Sequence, residues 1–214
     1  MPPRLIATNM TNLIKHMVTV ASGIRLIPLI ALMLVCPNQD DLFADMDHLA
    51  RLWHWQLGGA PRAPQARDLP ERIIQFVSLM TWVREFRNVF YFRTGKVGLL
   101  LSILCRPLAS LEIFSKIKIG PGLFIVHGNG TFVMADGIGA NCRIYQQVTI
   151  GNVDAAENGR PTIGDNVTIY AGAKIVGRVK IGDNATIAAN SLVIKDVPPN
   201  STVMGVPATT VWKK

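Results

Sequence analysis

Cysteine is scarce in this chain. The three cysteines, Cys36, Cys105 and Cys142, lie far apart and form no Cys-x-x-Cys pair. An odd, dispersed set argues against a disulfide framework and against a zinc site built from cysteine pairs. Since no other metal-ligand spacing occurs, we expect no metal, and we predict that the cysteines are reduced packing residues of a cytoplasmic protein.

Long hydrophobic runs are also missing. The longest clean run, residues 26–36, has 11 residues, whereas a helix needs about 20 apolar residues to span a bilayer. No small-x-small cleavage motif follows it, so a secretory signal peptide is not indicated. We therefore favour a buried helix for this segment, with membrane contact as the alternative.

Charged residues make up only 17% of the chain, and 22 Lys and Arg outnumber 14 Asp and Glu, giving a net charge of +8. Because Lys and Arg form no run and do not alternate with aromatic residues, nucleic acid is not an expected partner. The positive charge suits anionic ligands or a membrane surface. Residues 83–104 mix basic, aromatic and leucine residues, which predicts either a half-buried amphipathic helix or a helix lying on a membrane.

A six-residue repeat occupies the second half of the chain. Its period matches neither the 3.6 residues of a helix nor the two residues of a flat strand, and it is typical of a parallel β-helix. In that fold short strands wind into a prism, and each inward aliphatic stacks on its equivalent about 4.8 Å away. The nine aliphatics in strict register are Ile138, Ile144, Ile150, Ile163, Ile169, Ile175, Ile181, Ile187 and Val193.

The repeat also has irregular points. Ile119 and Ile125 continue it backwards, and Phe132 fits if one extra residue is allowed. Gly, Asn and Asp follow many of the aliphatics, and we assign them to corners with positive φ. The step from Ile150 to Ile163 is 13 residues. We interpret residues 152–161 as a corner loop; the alternative is an extra hexad with one inserted residue.

Residues 1–110 predict an N-terminal helical domain. Helices are expected over 4–35, from the cap residues 38–41 through Trp53, from about Leu69 through Met80, and over 83–104, with a loop at 58–70. With 49% hydrophobic residues, the chain can bury a sizeable core. The expected fold class is α+β, with a β-helix domain over 111–214 that residues 203–212 close as a strand or cap.

The loop interpretation places four residues in one column. They are His127, Gln146, Ala171 and Ala189, each two positions beyond an inward isoleucine of the second prism face. A histidine and an amide would then lie at one end of the column. Small residues with accessible backbone amides would form a smooth groove at the other end.

His127 is the candidate catalytic residue. Its neighbours in Val-His-Gly-Asn-Gly are small or turn-prone, and Glu112 lies 15 residues earlier, close to one coil back. A carboxylate that accepts a hydrogen bond from one imidazole nitrogen fixes the tautomer, so that the other nitrogen can take a proton. The alternative is an exposed histidine and an ordinary surface acid.

Residues 112–211 resemble the serine O-acetyltransferases and related hexapeptide-repeat acyltransferases of the left-handed β-helix class. The resemblance implies that hand of coil, although crossovers between parallel strands are normally right-handed. Residues 86–93 also resemble the lead-in helix of serine-acetyltransferase-like proteins from polysaccharide gene clusters. The stretches that carry the resemblance begin at Ile119 (Ile-Gly-Pro-Gly-Leu-Phe-Ile-Val-His-Gly), Gln146 (Gln-Gln-Val-Thr-Ile-Gly), Ala171 (Ala-Gly-Ala-Lys-Ile-Val-Gly) and Val197 (Val-Pro-Pro-Asn-Ser-Thr-Val-Met-Gly-Val-Pro-Ala).

The resemblance implies catalytic roles for two residues, and the mechanism adds a third. His127 matches the general base, and Glu112 lies where the family usually has the Asp partner of that base. Gln146, with a backbone amide near Gly151, is expected to bind the oxyanion of the tetrahedral intermediate. The reaction implied is transfer of acetyl from acetyl-CoA to a hydroxyl group.

The resemblance also implies a coenzyme A site. Ala171 and Ala189 match positions that line the groove of the family, and Gly151 opens the loop beside the active site. Lys174 and Lys195 are expected partners of the coenzyme A phosphates. Acetyl-CoA is thus the expected co-substrate.

The acceptor side departs from the biosynthetic serine enzymes. They have Asp directly before the base, where this chain has Val126. They also have an Arg-His pair in the loop, where this chain has Arg160 followed by Pro161. We expect Arg160 and Asn129 to contact the acceptor.

We predict an acetyl-CoA-dependent O-acetyltransferase of the serine acetyltransferase type. One alternative is acetylation of a sugar or polysaccharide-precursor hydroxyl, and another is a non-catalytic β-helix scaffold. The family resemblance implies a homotrimer, with a hexamer as the alternative. We expect a cytoplasmic enzyme, with peripheral membrane contact through the N-terminal helices as a further alternative.

Overall fold

The computed structural model describes residues 21–56, 68–152 and 159–213. Residues 4–20 of the helical segment predicted over 4–35, most of the loop predicted at 58–70 and the centre of the loop predicted at 152–161 lie outside these residues. Within the described part, helices precede a parallel β-helix, which confirms the predicted fold class.

The helices are α1 (Ile27–Val35), α2 (Gln39–Gln56), α3 (Leu69–Trp82) and α4 (Arg84–Leu101), followed by a 3-10 turn at Ser102–Leu104. Asp68 caps α3, because its side chain accepts a hydrogen bond from the Glu71 N–H at 3.1 Å. The helix predicted over 83–104 is broken at Gly95, where φ is 61°. A residue in the left-handed region cannot continue a right-handed helix.

Aromatic packing joins α3 to α4. The ring centroids of Phe76 and Phe90 are 5.0 Å apart, those of Phe76 and Phe86 are 6.1 Å apart, and both pairs meet edge to face. Met33 of α1 and Met46 of α2 are fully buried in the same cluster. The four helices therefore share a hydrophobic core of their own.

The β-helix has three parallel faces. In chain order the strands are β1 (Leu111–Ile113), β2 (Lys118–Ile119), β3 (Phe124–Ile125), β4 (Thr131–Val133), β5 (Gly137–Ile138), β6 (Arg143–Ile144), β7 (Thr149–Gly151), β8 (Thr162–Ile163), β9 (Thr168–Ile169), β10 (Lys174–Val176), β11 (Lys180–Ile181), β12 (Thr186–Ile187), β13 (Leu192–Val193), β14 (Ser201–Gly205) and β15 (Ala208–Lys213). Face A contains β1, β4, β7, β10 and β13; face B contains β2, β5, β8 and β11; face C contains β3, β6, β9, β12 and β14, with β15 added antiparallel at its end. The predicted closing strand is thus confirmed.

The register of face B decides between the two interpretations of the interrupted repeat. Ile138 of β5 pairs with Ile163 of β8, so Ile163 restarts the face that Ile138 belongs to. This confirms a corner loop between Gly151 and Thr162 and excludes an extra hexad.

The prediction for Phe132 was wrong. The inward residue of β4 is Val133, which is 1% exposed and pairs with Ile150, whereas Phe132 is only half-buried. Val133 lies eight positions after Ile125, whereas Ile150 lies six positions after Ile144, and these two are the strand partners of Val133 and Ile125. Two residues, not one, are therefore inserted at the corner between faces C and A.

The corner between faces B and C uses glycine and asparagine for different reasons. A Cβ on Gly139 would lie 2.6 Å from the carbonyl carbon of Gly164 and 2.7 Å from the Asp165 nitrogen. Only glycine lets the coils approach so closely, and its φ is not positive. The positive φ that we predicted for Gly, Asn and Asp belongs here to the position two residues after Gly139 and its equivalents. Gly122 occupies that position on the first coil with φ of 78°, and Asn141 and Asn166 occupy it on the next two with φ of 55°.

A buried ion pair docks the helices on the first coil. Arg93 of α4 donates from Nε to Asp45 Oδ2 at 2.9 Å, and from its two Nη atoms to the carbonyl oxygens of Ile119 at 2.6 Å and Gly120 at 2.7 Å. Asp45 of α2 accepts a further bond from the Leu123 N–H at 2.7 Å. Side chains of α2 and α4 thus fix the corner that follows β2.

The three cysteines are free and buried, which confirms their interpretation as packing residues. Cys105 Sγ donates to the Met80 carbonyl at 3.1 Å, and burial raises the pKa of Cys142 to about 11. Among the described residues, no single helix has the length and apolar character to cross a membrane. A pair bent by 118°, Ile27–Val35 with Gln39–Ala50, meets that test by length and composition alone.

Candidate active site

The corner between faces C and A holds the predicted column. Ile125, Ile144, Ile169 and Ile187 are paired in succession, so the residues two positions beyond them follow one another from coil to coil. The N–H of Gly172 donates to the Gln146 carbonyl at 3.0 Å, and that of Asn190 donates to the Ala171 carbonyl at 2.9 Å. These bonds confirm the alignment of Gln146, Ala171 and Ala189. His127 stands at the same offset from Ile125, but it lies on the two-residue insertion. The Gln147 N–H donates to the Asn129 carbonyl at 2.9 Å, so Asn129 is the residue of the first coil that pairs with the column.

His127 lies on the two-residue insertion. Its φ is 51° and its side chain is exposed, while the following Gly128 is buried. A Cβ on Gly128 would lie 2.8 Å from Ile125 Cγ2 and 3.0 Å from Leu111 Cδ2. The turn is thus pressed against the core while the imidazole is left in solvent, where an acceptor can reach it.

Asn129 braces this turn. Its N–H donates to the His127 carbonyl, its Oδ1 accepts from the Ser110 hydroxyl at 3.1 Å, and its carbonyl accepts from the Gln147 N–H at 2.9 Å. The side-chain oxygen of Asn129 is therefore engaged within the protein, and contact with an acceptor stays a prediction for its amide nitrogen.

Glu112 lies on the outward side of β1. It is exposed, and it pairs with Phe132 of β4, the strand into which the His127 turn leads. Among the described residues, neither Glu112 nor His127 has a side-chain hydrogen bond or ion pair. A hydrogen bond between the two side chains stays a prediction.

A second carboxylate, Glu85, approaches the same turn from the helices. Its Cγ lies 3.3 Å from the position that a Cβ on Gly128 would take, and the side chain is half-buried. Asn88, one turn further along α4, donates to the Leu108 and Leu111 carbonyls at 3.0 and 2.9 Å, which fixes the helix on the entry to β1. No sequence signal indicated Glu85, because a contact between distant segments leaves no trace in spacing.

Gln146 is part of the column and Lys174 lies beside it; their roles in the oxyanion and coenzyme A sites stay predictions. Gln146 is half-buried, and its Oε1 is buried with no hydrogen-bond partner among the described residues. Lys174 of β10, three residues after Ala171, donates from Nζ to the Gln147 carbonyl. One unpaired acceptor and one fixed cation thus flank the small residues.

Three predicted residues lie at the other edge of face A. Gly151 ends β7, Lys195 follows β13, and Arg160 precedes β8, all at the corner between faces A and B. Because a three-residue strand is about 10 Å long, this corner is separate from that of His127. The Arg160 guanidinium lies 4.8 Å from the ring centroid of Phe114. Within one chain these residues do not join His127.

Two stacked tyrosines, which sequence analysis missed, border the column. Tyr145 and Tyr170 come directly before Gln146 and Ala171, and their ring centroids are 5.0 Å apart. Tyr170 is 40% exposed. They occupy equivalent positions of consecutive coils, but only side-chain geometry reveals an aromatic surface beside the groove.

Comparison with known proteins adds to this geometry. Residues 160–195 match the family model of the bacterial transferase hexapeptide (six repeats). The chain is 40% identical over 152 residues to the serine acetyltransferase of Staphylococcus aureus, an alignment that covers 69% of this chain and 71% of that protein. The chain belongs to the serine acetyltransferase family.

Other relatives support this membership. The chain is 36% identical over 156 residues to the serine acetyltransferase of Synechococcus elongatus, covering 71% of this chain. The crystal structure of Neisseria gonorrhoeae serine acetyltransferase superposes with a TM-score of 0.61 at 27% identity and covers 82% of this chain. A structure of that Neisseria enzyme in complex with serine also gives a TM-score of 0.61, covering 85% of this chain and 72% of its own.

The β-helix of this family member has about five left-handed coils, which confirms the hand implied by the resemblance. The chain spans 64% of the length of the Synechococcus relative and 65% of that of the first Neisseria structure.

Proposed function

We propose that this chain is an acetyl-CoA-dependent O-acetyltransferase of the serine acetyltransferase type. The observation that carries the proposal is the column at the corner between faces C and A, with an exposed histidine followed by small residues on successive coils. Ala171 and Ala189 leave room for a pantetheine arm along the coils. Family membership, shown at 40% identity, supports the same reaction.

In this mechanism His127 is the general base. It takes the proton of the acceptor hydroxyl as that oxygen attacks the thioester carbonyl, and it returns the proton to the departing thiolate. Glu112 holds the imidazole in one tautomer and stabilises the imidazolium. A hydrogen-bond donor at the oxyanion, from the Gln146 amide or a backbone N–H, lowers the activation free energy by about 3 kcal/mol.

The acetyl group passes directly between the two substrates. A covalent route would need an activated nucleophile beside a base. The three cysteines are buried, and burial raises the pKa of Cys142 to about 11, so none of them offers a thiolate at the column.

Free serine is the acceptor in the leading form of this proposal, and the Neisseria relative binds serine. A sugar or polysaccharide-precursor hydroxyl is the second candidate. Two observations favour it: Val126 precedes the base where a carboxylate would hold the serine amine, and Arg160 lies over Phe114 at the far edge of face A. Glu85, beside Gly128, supplies a carboxylate for an acceptor ammonium or hydroxyl in either case.

A homotrimer suits the separation of the two corners. His127 and Arg160 lie at opposite edges of face A, so a complete site requires the His127 corner of one copy to meet the Arg160 corner of another. A hexamer built through the helices is the alternative. Reduced, buried cysteines support a cytoplasmic location.

The His127→Ala substitution tests the mechanism. Thiol release from acetyl-CoA should fall at least about 100-fold, and Glu112→Gln should cause a smaller loss. Lys180→Ala, an exposed residue of face B, is the matched control and should leave turnover unchanged. Wild-type turnover in His127→Ala would contradict the assignment of the base.

The acceptor and the scaffold alternative need separate experiments. Mass spectrometry of products from a panel of serine and sugar acceptors identifies the acceptor. A thermal-shift titration with coenzyme A tests the non-catalytic scaffold, which predicts no shift in melting temperature.

A further inference from the structure

An exposed aliphatic surface follows the break in α4. Val97, Leu99, Leu100 and Ile103 are 55%, 66%, 77% and 78% exposed. They lie within seven residues of sequence, on the second piece of α4 and the 3-10 turn. Contiguous exposed aliphatics of this size indicate an interaction site, whereas single exposed ones need no explanation.

Helix α1 extends this surface. Ile24, Ile27 and Val35 are 76%, 59% and 74% exposed, and α1 packs on α4. At one end Cys36 Sγ contacts the Arg93 carbonyl at 3.8 Å. We call these seven exposed aliphatics, namely Ile24 before α1, Ile27 and Val35 of α1, and the four of the 97–103 segment, the apolar patch.

The other end of α1 lies near the 3-10 turn. Leu26, directly before α1, belongs to the same hydrophobic cluster as Tyr91 and Cys105, and Leu104 of the 3-10 turn packs against that cluster. Since α1 packs on α4 and shares this cluster with the 3-10 turn, we infer that its exposed side and the 97–103 segment belong to one surface.

Basic side chains border the apolar patch. Arg25 is next to Ile24 in sequence, Lys96 is next to Val97, and Arg106 lies three residues after Ile103; all three are exposed. The exposed acid of the adjoining first turn of α2 is Asp40. The border is therefore positive on balance.

We propose that the apolar patch docks on an anionic lipid bilayer, with its aliphatic side chains among the headgroups and its basic border on the lipid phosphates. Apolar side chains bordered by Lys and Arg are the pattern of interfacial helices. A two-fold contact between copies would place the basic border against itself, which disfavours that occupant. With nine residues, α1 is too short to span a bilayer.

The patch lies within reach of the catalytic corner. Glu85 is beside Gly128, and about 15 Å of straight helix separates it from Gly95, where the patch segment begins. A membrane-bound enzyme would then receive an acceptor presented at the bilayer surface. This last step rests on the proposed function, whereas the docking itself does not.

Co-sedimentation with vesicles tests the docking. The full chain should pellet with vesicles of phosphatidylcholine and phosphatidylglycerol, and several-fold less with phosphatidylcholine alone or at high salt. Leu99→Ser combined with Leu100→Ser should lower the partition coefficient at least about tenfold. Ile194→Ser combined with Val211→Ser removes exposed aliphatics of the β-helix, 47% and 50% exposed, and should leave binding unchanged.

The charge of the border gives a second, milder variant. Lys96→Gln with Arg106→Gln keeps the patch apolar and should remove the preference for anionic vesicles. This variant tests the docking even if the Leu99→Ser, Leu100→Ser variant does not fold. The proposal is overturned if the wild type stays in the supernatant, or if both variants pellet like the wild type. It is also overturned if light scattering shows that the wild type is an oligomer that the Leu99→Ser, Leu100→Ser variant no longer forms, and the wild type does not bind vesicles. The patch is then a contact between copies of the chain. Thiol release without vesicles reports on the transferase activity separately.

Discussion

Replacing Arg93 by alanine should loosen the helices from the β-helix. The Arg93 side chain is 4% exposed and its partner Asp45 is 1% exposed. The guanidinium donates to both oxygens of Asp45 and to the carbonyls of Ile119 and Gly120. Arg93→Ala therefore leaves a buried carboxylate and two carbonyl oxygens without these donors.

The expected cost follows from that burial. Removing one partner of a buried ion pair typically costs about 3–5 kcal/mol, because the other charge stays desolvated. Against a total stability of about 5–15 kcal/mol for a typical domain, this is a large fraction. The exposed Arg84 of the same helix has no ion pair among the described residues, so Arg84→Ala should cost less than about 0.5 kcal/mol.

The loss should depend on pH. Burial raises the pKa of Asp45 to about 6, and Arg93 opposes that rise. Without Arg93 the pKa rises further, so folding of the variant takes up a proton, and its stability falls as pH increases. The difference in free energy of unfolding between wild type and Arg93→Ala should therefore shrink from about pH 7 to about pH 5.

Urea unfolding followed by circular dichroism at both pH values measures these differences. A loss below about 1 kcal/mol near pH 7 would refute the view that this pair holds the helices on the first coil. A pH-independent loss would instead refute the assignment of the penalty to the carboxylate of Asp45.

Three further substitutions probe the coils and the site. Gly139→Ala should lower the free energy of unfolding by about 1–3 kcal/mol, because the new methyl group would overlap the next coil. Gly137→Ala is the control and should be tolerated, because the nearest atom to its new Cβ is 3.8 Å away. The urea midpoints of the two variants measure the difference. Asn166→Ala should cost about 1 kcal/mol, because alanine resists the φ of 55°, and Asn166→Gly should cost less in the same assay. Glu85→Gln should raise the KM for the acceptor several-fold with little change in the KM for acetyl-CoA; equal KM values in variant and wild type would remove Glu85 from the acceptor site.

Most of the β-helix could be predicted from the hexad repeat. The inward aliphatics recur at a fixed spacing along the sequence, so the strand partners of Ile138 and Ile144 follow from counting residues. Counting fails where two neighbouring residues of a strand are both apolar, because either one could face inward. Phe132 is apolar, yet burial and register assign the inward position to Val133.

The candidate site was predictable only in part. The alignment of Gln146, Ala171 and Ala189 follows from the repeat, because these residues stand at equal offsets from paired isoleucines in regular coils. The two-residue insertion that carries His127 was not predicted. The approach of Glu85 to Gly128 and the stacking of Tyr145 on Tyr170 depend on packing between segments or on side-chain conformation. Local spacing does not encode either one.

The sequence by itself determined the coil, its three faces and the edge that carries the histidine, because a period of six leaves one way to bury every aliphatic. Tertiary structure alone decided how the helices dock through Arg93 and Asp45, and which carboxylate they bring to the turn. It also separated Arg160 from His127 by the width of one face. The physical reason is that repeat geometry is local and additive, whereas docking depends on burying particular charges against a surface that exists only once the coil has formed.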